Sequence, residues 1–331
     1  MNKQFEQYLR IAAQESNGSS KRASTILKEV LHWDILAAIT NSGLGKSLVF
    51  QGGTALRMCY NNPRYSEDLD FVRSGPLKPE QFNMFVELLT KSVINKYQLN
   101  ITVKEPNKPL DTNSTDTSIA VHRWTATIEI GNQATPNQKI HIEVADVPAH
   151  DIQQRMVKSH YDQYGFHPIL LNVSSKEEIL ADKVTAVADR PYFKARDIWD
   201  IKWLNDTGTE LNHNLVRIKA IDYNMVDSTG NINVAEKLHQ KIIELASTDT
   251  QEKFVLEMSR FLPQNQANLW LKNESTAAGL LMDVSNFLEK QIPKLQHTVT
   301  QEKVAVPVSD KDKIIKAWRE RISREDKDRY R

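Results

Sequence analysis

Residues 50–71 of the chain read FQGGTALRMCYNNPRYSEDLDF, and this stretch decides the fold. Residues 48–51 form a short, mainly apolar run typical of a buried strand, and two glycines end it. Residues 68–72 then alternate acidic and apolar side chains, which is the period of a half-buried strand. The residues between them, 54–61, suffice for one or two helical turns. The stretch therefore predicts a strand, a glycine turn, a short helix and a returning strand.

Each part of this stretch has a chemical use. Glycines after a strand let backbone approach a phosphate, and the N–H groups that open the next helix attract anions. Gly52 and Gly53 supply this turn, and the Thr54 hydroxyl can donate one further hydrogen bond. Residues two apart on a strand face the same side, so Asp68 and Asp70 converge and suit Mg²⁺, which prefers oxygen ligands. Alone the two glycines indicate a plain turn; with the aspartates they favour a phosphate and metal site.

A second glycine pattern lies just upstream. Residues 43–47 read GLGKS and imitate the end of a phosphate-binding P-loop. The first glycine that a P-loop requires falls on Thr40, and the pattern precedes a strand instead of following one. It is therefore not interpreted as a nucleotide site.

Another predicted strand offers two further carboxylates. Residues 139–147 predict this strand, with Glu143 in its middle and Asp146 near its end. Because the two are three apart, they face opposite sides of the strand. Glu143 is favoured as the third metal ligand and Asp146 is the alternative. If neither faces the cleft, the metal site has only two protein carboxylates.

A second block of charged residues follows in residues 183–204, KVTAVADRPYFKARDIWDIKWL. It carries Lys183, Asp197 and Asp200, and together with the glycine–aspartate stretch it resembles the AbiEii/AbiGii toxins of the polymerase-β-like nucleotidyltransferase superfamily. The two blocks span under half of the chain. The resemblance implies an α/β (α+β) fold, in which a nucleotidyltransferase core with a mixed sheet is followed by a mainly helical domain.

The resemblance also implies an activity, which is the transfer of a nucleoside monophosphate from an NTP to an acceptor with Mg²⁺ or Mn²⁺ as cofactor. The catalytic residues would then be Asp68, Asp70, Lys183 and Asp197. The metal ligands would be Asp68, Asp70 and Glu143. The nucleotide-binding residues would be Gly52, Gly53, Thr54, Arg57, Arg64, Lys183 and Arg196. The implied acceptor is the 3′ end of tRNA or another RNA, and the implied role is that of a toxin neutralised by a cognate antitoxin protein.

Two other functions stay open at this point. A kinase or phosphatase could use the same Asp-x-Asp pair, and the γ-phosphate would then move instead of the nucleotidyl group. A non-catalytic nucleotide- or RNA-binding module would bind NTP without releasing pyrophosphate.

Asp197 and Asp200 also have a plainer interpretation, because residues three apart on a helix could pair with Lys194 and Arg196 on a solvated face.

The chain divides into three predicted units. Residues 1–173 are the nucleotidyltransferase core with N-terminal helices, and its later strands are expected in 99–103, 119–130, 139–147 and 166–173. Residues 174–291 are a mainly helical domain that contributes Lys183 and Asp197. Residues 292–331 are a linker and a charged C-terminal helix.

Composition restricts the class of protein. The 331 residues are 40% hydrophobic and 26% charged, as in soluble globular proteins, and no apolar run approaches the roughly 20 residues of a membrane span. Cys59 is the single cysteine, which excludes an internal disulfide and a Cys-rich zinc site. A cytoplasmic location without a membrane partner is therefore expected. The net charge of +1 neither favours nor excludes nucleic acid.

Overall fold

A mixed sheet organises the first part of the chain. The computed structural model describes residues 1–75, 78–106, 121–131, 135–157, 168–225, 232–272 and 274–296. Within these residues the sheet has seven strands: β1 Leu48–Gln51, β2 Leu69–Arg73, β3 Asn100–Lys104, β4 Val121–Glu129, β5 Gln138–Pro148, β6 Ile152–Val157 and β7 Ile169–Ser174. Their spatial order is β3-β4-β5-β2-β1-β7-β6. β2 is parallel to β5 and β1 to β7, whereas the other neighbours are antiparallel.

Helices precede, interrupt and follow the sheet. The first four are α1 Lys3–Glu15, α2 Ser20–Asn41, α3 Gly52–Tyr60 and α4 Pro79–Tyr97. The later ones are α5 Lys176–Asp189, α6 Ala195–Asp206, α7 His213–Asp222, α8 Val234–Leu245, α9 Thr248–Phe261, α10 Gln264–Trp270 and α11 Glu274–Gln296. A 3-10 turn, Leu44–Lys46, lies between α2 and β1, where the P-loop-like pattern falls. Apolar residues from both the sheet and the later helices form one continuous hydrophobic cluster.

The period of two along the central strands separates their two faces. Phe50 and Phe71, paired in register, belong to the main hydrophobic cluster, and their ring centroids are 5.2 Å apart. Val49 and Val72 form a separate small cluster on the opposite face. Asp70 is two residues from Val72 and therefore shares that second face.

Helix α5 is fixed at its start by a side-chain cap. The Ser175 hydroxyl accepts a hydrogen bond from the Glu178 backbone N–H at 3.0 Å, and Glu177 and Glu178 lie in the positively polarised first turn. Ser175, and not the neighbouring Ser174, is the residue that caps this helix. The cap sets where α5 begins and hence where Lys183 lies, two turns further along.

The predicted fold class is confirmed, since a mixed sheet is followed by helices. The sequence did not predict β6, an edge strand that pairs only with β7 among the described residues. Pro293 lies inside α11, so this helix continues beyond the predicted start of the linker at 292. The predicted helix in 310–329 lies outside the described residues. No helix in the described part of the chain has the length and apolar character needed to cross a bilayer.

Candidate active site

A cavity of about 390 Å³ opens on the face of the sheet that carries Asp70. It lies between the central strands and the helices α5 and α6, and the lining includes Gly52, Asp70, Glu143, Lys183, Lys194 and Asp197. The volume is in the range of about 300–1,000 Å³ that small-molecule sites occupy. A larger cavity of about 790 Å³ lies near α7 and α11, but none of the predicted site residues lines it. The chemistry-bearing residues therefore converge on the smaller cavity.

Carboxylates from two parallel strands meet in this cavity. Asp70 on β2 and Glu143 on β5 are paired in register, so their side chains are neighbours on one face. Burial, and then the negative charges of Glu143 and Asp68, raises the pKa of Asp70 to about 6. Asp146 does not line the cavity and instead pairs with Arg73. The structure thus places Glu143, and not Asp146, beside Asp70.

These donors fit a divalent metal ion. A cation would relieve the mutual repulsion between the carboxylates. Mg²⁺ needs only one or two protein carboxylates, because waters and substrate phosphates supply its other ligands. Asp70 and Glu143 would hold the ion. Glu143 also forms an ion pair with Arg123 at 2.7 Å, and both side chains are partly exposed. Within the described residues, no group of three His, Cys, Asp or Glu side chains is arranged as a complete metal cage.

Helix α3 offers its N-terminus to the same cavity. Its first residue, Gly52, has φ of +76° and follows Gln51, which makes no side-chain capping bond. A Cβ at Gly52 would lie 2.6 Å from a carboxylate oxygen of Asp70, so glycine is required both by the backbone and by the close aspartate. The uncapped N–H groups at this helix start can bind an anion.

Lys183 is held at the cavity by two buried aspartates. Its ammonium lies 2.6 Å from Asp197 and 3.0 Å from Asp200, which are 1% and 0% exposed. Arg190 makes an ion pair with the second carboxylate oxygen of Asp197. The solvated-face interpretation of Asp197 and Asp200 is therefore wrong, because both are buried acceptors for cations that line or approach the cavity.

Further positive charge gathers around Lys183. Lys194, the residue before α6, lines the cavity together with Arg190. Burial, followed by the nearby charges of Lys183 and Arg190, lowers the pKa of Lys194 to about 7. Burial and like charges disfavour the protonated form of this lysine, and a bound polyanion would stabilise that form.

Several residues predicted to bind the nucleotide lie elsewhere. The Thr54 hydroxyl is buried and donates to the backbone carbonyl of Asp68. Arg57 is buried against Glu29, and Arg196 pairs with Glu257 on α9. Arg64 is 2% exposed and pairs with Asp200. Each of these groups has a protein partner outside the cavity lining.

Two more predicted residues also lie outside the cavity lining. Asp68 accepts a hydrogen bond from the His141 backbone N–H at 3.4 Å, although its charge still reaches Asp70. Gly53 lies against the guanidinium of Arg64. The predicted residues that the structure brings together are Gly52, Asp70, Glu143, Lys183 and Asp197.

The cavity also contains residues to which the sequence assigns no role in the site. Arg190 and Lys194 belong to the block of residues 183–204 that carries the family resemblance, but neither is among the predicted site residues. Asp182 and Gln51 line the cavity too; Asp182 forms an ion pair with Lys219 at 3.3 Å, and the Gln51 amide oxygen is buried without a hydrogen-bond partner among the described residues. The signal that could have identified Lys194 is its position directly before α6, because anions bind at the start of a helix.

Solved structures of other proteins are similar to this chain. MenT4, a nucleotidyltransferase toxin from Mycobacterium tuberculosis, is similar in structure at 16% identity and a TM-score of 0.50, over 87% of this chain and 98% of that one. JHP933 from Helicobacter pylori is 17% identical with a TM-score of 0.46, over 82% of this chain and 95% of that one. No curated protein matches the sequence significantly.

A family model gives the decisive match. The model described as nucleotidyl transferase AbiEii toxin, type IV toxin–antitoxin system, matches residues 34–278, which is well over half of the chain. The matched range includes both the glycine–aspartate stretch and the block that carries Lys183. The chain is a nucleotidyltransferase that belongs to the AbiEii family of toxins from type IV toxin–antitoxin systems.

Proposed function

We propose that this toxin transfers a nucleoside monophosphate from an NTP to the 3′ end of a tRNA in a Mg²⁺-dependent reaction. The observation that carries the proposal is the meeting of two charge types in one cavity. Asp70 and Glu143 supply paired carboxylates, while Lys183, Arg190 and Lys194 supply cations. Carboxylates suit the metal and cations suit the triphosphate, so the cavity fits a metal-bound NTP.

The chain's own groups would act mainly by position and charge. Lys183 and Lys194 would bind the triphosphate, and the uncapped start of α3 at Gly52 would donate backbone N–H groups to it. Asp197 would hold the Lys183 ammonium in place. When bound by Asp70 and Glu143, the metal would neutralise phosphate charge and lower the pKa of the attacking hydroxyl. Phosphoryl chemistry of this kind needs positioning more than a covalent nucleophile.

The partner is proposed from the family, and the acceptor is proposed on chemical grounds. A type IV toxin–antitoxin family implies an antitoxin protein as the partner. The tRNA 3′ end is proposed as the acceptor because it offers a free hydroxyl on a single-stranded end, which an active-site cavity can admit without unpairing a duplex. A cytoplasmic location is proposed because RNA and NTP meet there.

Labelled nucleotides test the reaction class and the acceptor together. Each NTP, labelled at the α-phosphate, is incubated with the purified toxin, Mg²⁺ and total bacterial RNA, and the RNA is separated on a denaturing gel. We expect label in the tRNA band. Label that appears only from γ-labelled NTP would indicate a kinase, and NTP binding without pyrophosphate release would indicate a non-catalytic module. Label in larger RNA or in protein would overturn the tRNA assignment.

Glu143 and Asp146 form a matched pair on one strand. We expect Glu143→Gln to lower kcat/KM roughly 100-fold at low Mg²⁺, because one of the two carboxylates proposed to hold the metal is lost. Asp146→Asn should stay within about twofold of wild type, since Asp146 is partly exposed and pairs with Arg73. Initial rates across a Mg²⁺ titration measure both. The reverse ranking would make Asp146 the third ligand.

Lys194 predicts a pH dependence of nucleotide binding. Its pKa of about 7 in the free protein should rise when a triphosphate binds, so binding takes up a proton. Affinity should therefore fall by up to about tenfold from pH 6 to pH 8. Lys194→Arg should flatten this fall, because arginine stays charged throughout. Titration calorimetry with a non-reactive NTP analogue measures both proteins, and the ionisation of the analogue itself cancels between them. Equal slopes would exclude Lys194 from the phosphate site.

A further inference from the structure

We infer that Arg64 and Asp200 are positioning residues that hold Lys183 at the nucleotide cavity, and that Gly53 is a glycine because Arg64 needs the adjacent space. The inference rests on the proposed nucleotide site. The two glycines of the turn then have different roles. Gly52 lines the cavity, whereas Gly53 leaves space for the buried guanidinium of Arg64.

Arg64 and Asp200 form a bidentate pair in the interior. The Arg64 Nε donates to Asp200 Oδ1 at 2.5 Å and Nη2 donates to Oδ2 at 2.6 Å, and the two side chains are 2% and 0% exposed. Asn62 donates a further bond to Asp200 Oδ1 at 2.9 Å. Burial acts to raise the pKa of Asp200, but Arg64 and then Lys183 hold it at about 2. Asp200 is therefore a fixed negative charge with little freedom to rotate.

The same carboxylate fixes Lys183. Asp200 Oδ2 lies 3.0 Å from the Lys183 ammonium, so one aspartate accepts from a guanidinium and an ammonium at once. The other acceptor of Lys183, Asp197, is shared with Arg190. Burial lowers the pKa of Lys183, and Asp200 is the strongest opposing charge. Losing the Arg64–Asp200 geometry would leave the Lys183 ammonium with a single, shared carboxylate.

Gly53 explains how this pair reaches the glycine turn. A Cβ placed on Gly53 would lie 2.9 Å from the Arg64 Cζ and 3.1 Å from its Nη1, closer than side chains tolerate. The Arg64 guanidinium cannot retreat, because Nη1 also donates to the Tyr65 carbonyl at 3.0 Å while Nε and Nη2 are held by Asp200. A phosphate-binding role for Gly53 is not needed to account for the glycine.

Equilibrium binding of an α,β-methylene NTP tests the link from Arg64 to Lys183. Arg64→Lys keeps the positive charge but cannot form the bidentate pair with Asp200, and we expect the Kd to rise about tenfold. In a Lys183→Met background the same change should have no further effect, because the residue it positions is gone. Equal effects in both backgrounds would mean that Arg64 acts only on the fold. Thermal unfolding of each variant shows that folded proteins are being compared.

A second cycle tests Gly53. We expect Gly53→Ala to raise the Kd about tenfold in the otherwise unchanged protein. It should have no effect when Arg64→Ser and Asp200→Asn are both present, because this background removes both members of the buried pair and leaves no guanidinium beside Gly53. If Gly53→Ala weakens binding equally in both backgrounds, its backbone meets the nucleotide and the inference is wrong. Wild-type protein that binds no NTP would overturn the proposed function, whereas wild-type-like Kd for Arg64→Lys overturns the positioning role alone.

Discussion

Asp70→Asn should lower kcat/KM by at least roughly 10³-fold while leaving the metal-free protein as stable as wild type or more stable. Activity is lost because the amide cannot replace a carboxylate that is paired with Glu143 at the cavity. Stability behaves differently, because burial, Glu143 and Asp68 raise the pKa of Asp70 from 3.8 to about 6. At pH 7, folding therefore disfavours the ionised side chain by about 3 kcal/mol.

The sign of the stability effect depends on pH. Well below pH 3.8 the wild-type side chain is protonated in both the folded and the unfolded protein, so the variant has no advantage there. The advantage should grow as the pH rises from about 4 to about 6 and be nearly complete at about pH 7. Differential scanning fluorimetry without metal, at several pH values from about 4 to about 7, measures this rise. Mg²⁺ should raise the Tm of wild type at pH 7 but not that of Asp70→Asn.

The control for this prediction is Asp146→Asn, which removes a carboxylate of the same strand as Glu143 outside the cavity. It should keep both activity and the Mg²⁺-dependent rise in Tm. An Asp70→Asn protein that remains active, or that still gains stability from Mg²⁺, would show that the metal binds elsewhere.

The centre of the sheet could be predicted because its signals are local. Phe50 and Phe71 flank the glycines and aspartates within 22 residues, and the period of two assigns each side chain to a face. The edge strand β6 could not, because Gln153, Gln154 and Arg155 interrupt any apolar pattern. An edge strand needs less burial, and polar residues there discourage pairing with other chains.

The site was predicted only in part for a related reason. Asp70 and Glu143 lie on strands whose alternation shows which way each side chain points. Arg64 was placed at the nucleotide because its charge and position near the glycines favour that role. Its partner Asp200 is 136 residues further along the chain, and no local pattern links the two. Long-range pairing therefore decides between a ligand-binding and a buried arginine, and only the folded structure supplies it.

Position, and not exposure, distinguishes two lysines on the helices, because the side chains of Lys183 and Lys202 are 13% and 11% exposed. Lys183 lines the cavity between two aspartates. Lys202, on α6, pairs with Asp206 one turn away and with Asp283 on α11, both of which are partly exposed. The two residues are chemically alike, but only Lys183 lies where the proposed triphosphate would bind. Lys202 is thus a matched control for the removal of Lys183.

Lys183→Met should lower kcat/KM roughly 10²–10³-fold without unfolding the protein. The fold survives because each aspartate retains a cation, Asp197 the side chain of Arg190 and Asp200 that of Arg64. Methionine also keeps most of the apolar volume of the lysine stem.

Three measurements on Lys183→Met and Lys202→Met decide the matter: labelled NMP transfer, thermal unfolding, and bacterial growth after induced expression. We expect Lys183→Met to lose transfer and toxicity with a Tm within a few degrees of wild type, and Lys202→Met to keep all three. A folded Lys183→Met protein that still stops growth would separate toxicity from this cavity. Loss of folding would instead mean that Lys183 is needed to balance the buried charges of Asp197 and Asp200. The charge-preserving Lys183→Arg should then restore the Tm but not the reaction rate. The planar guanidinium of arginine cannot occupy the position of a single ammonium between the two carboxylates.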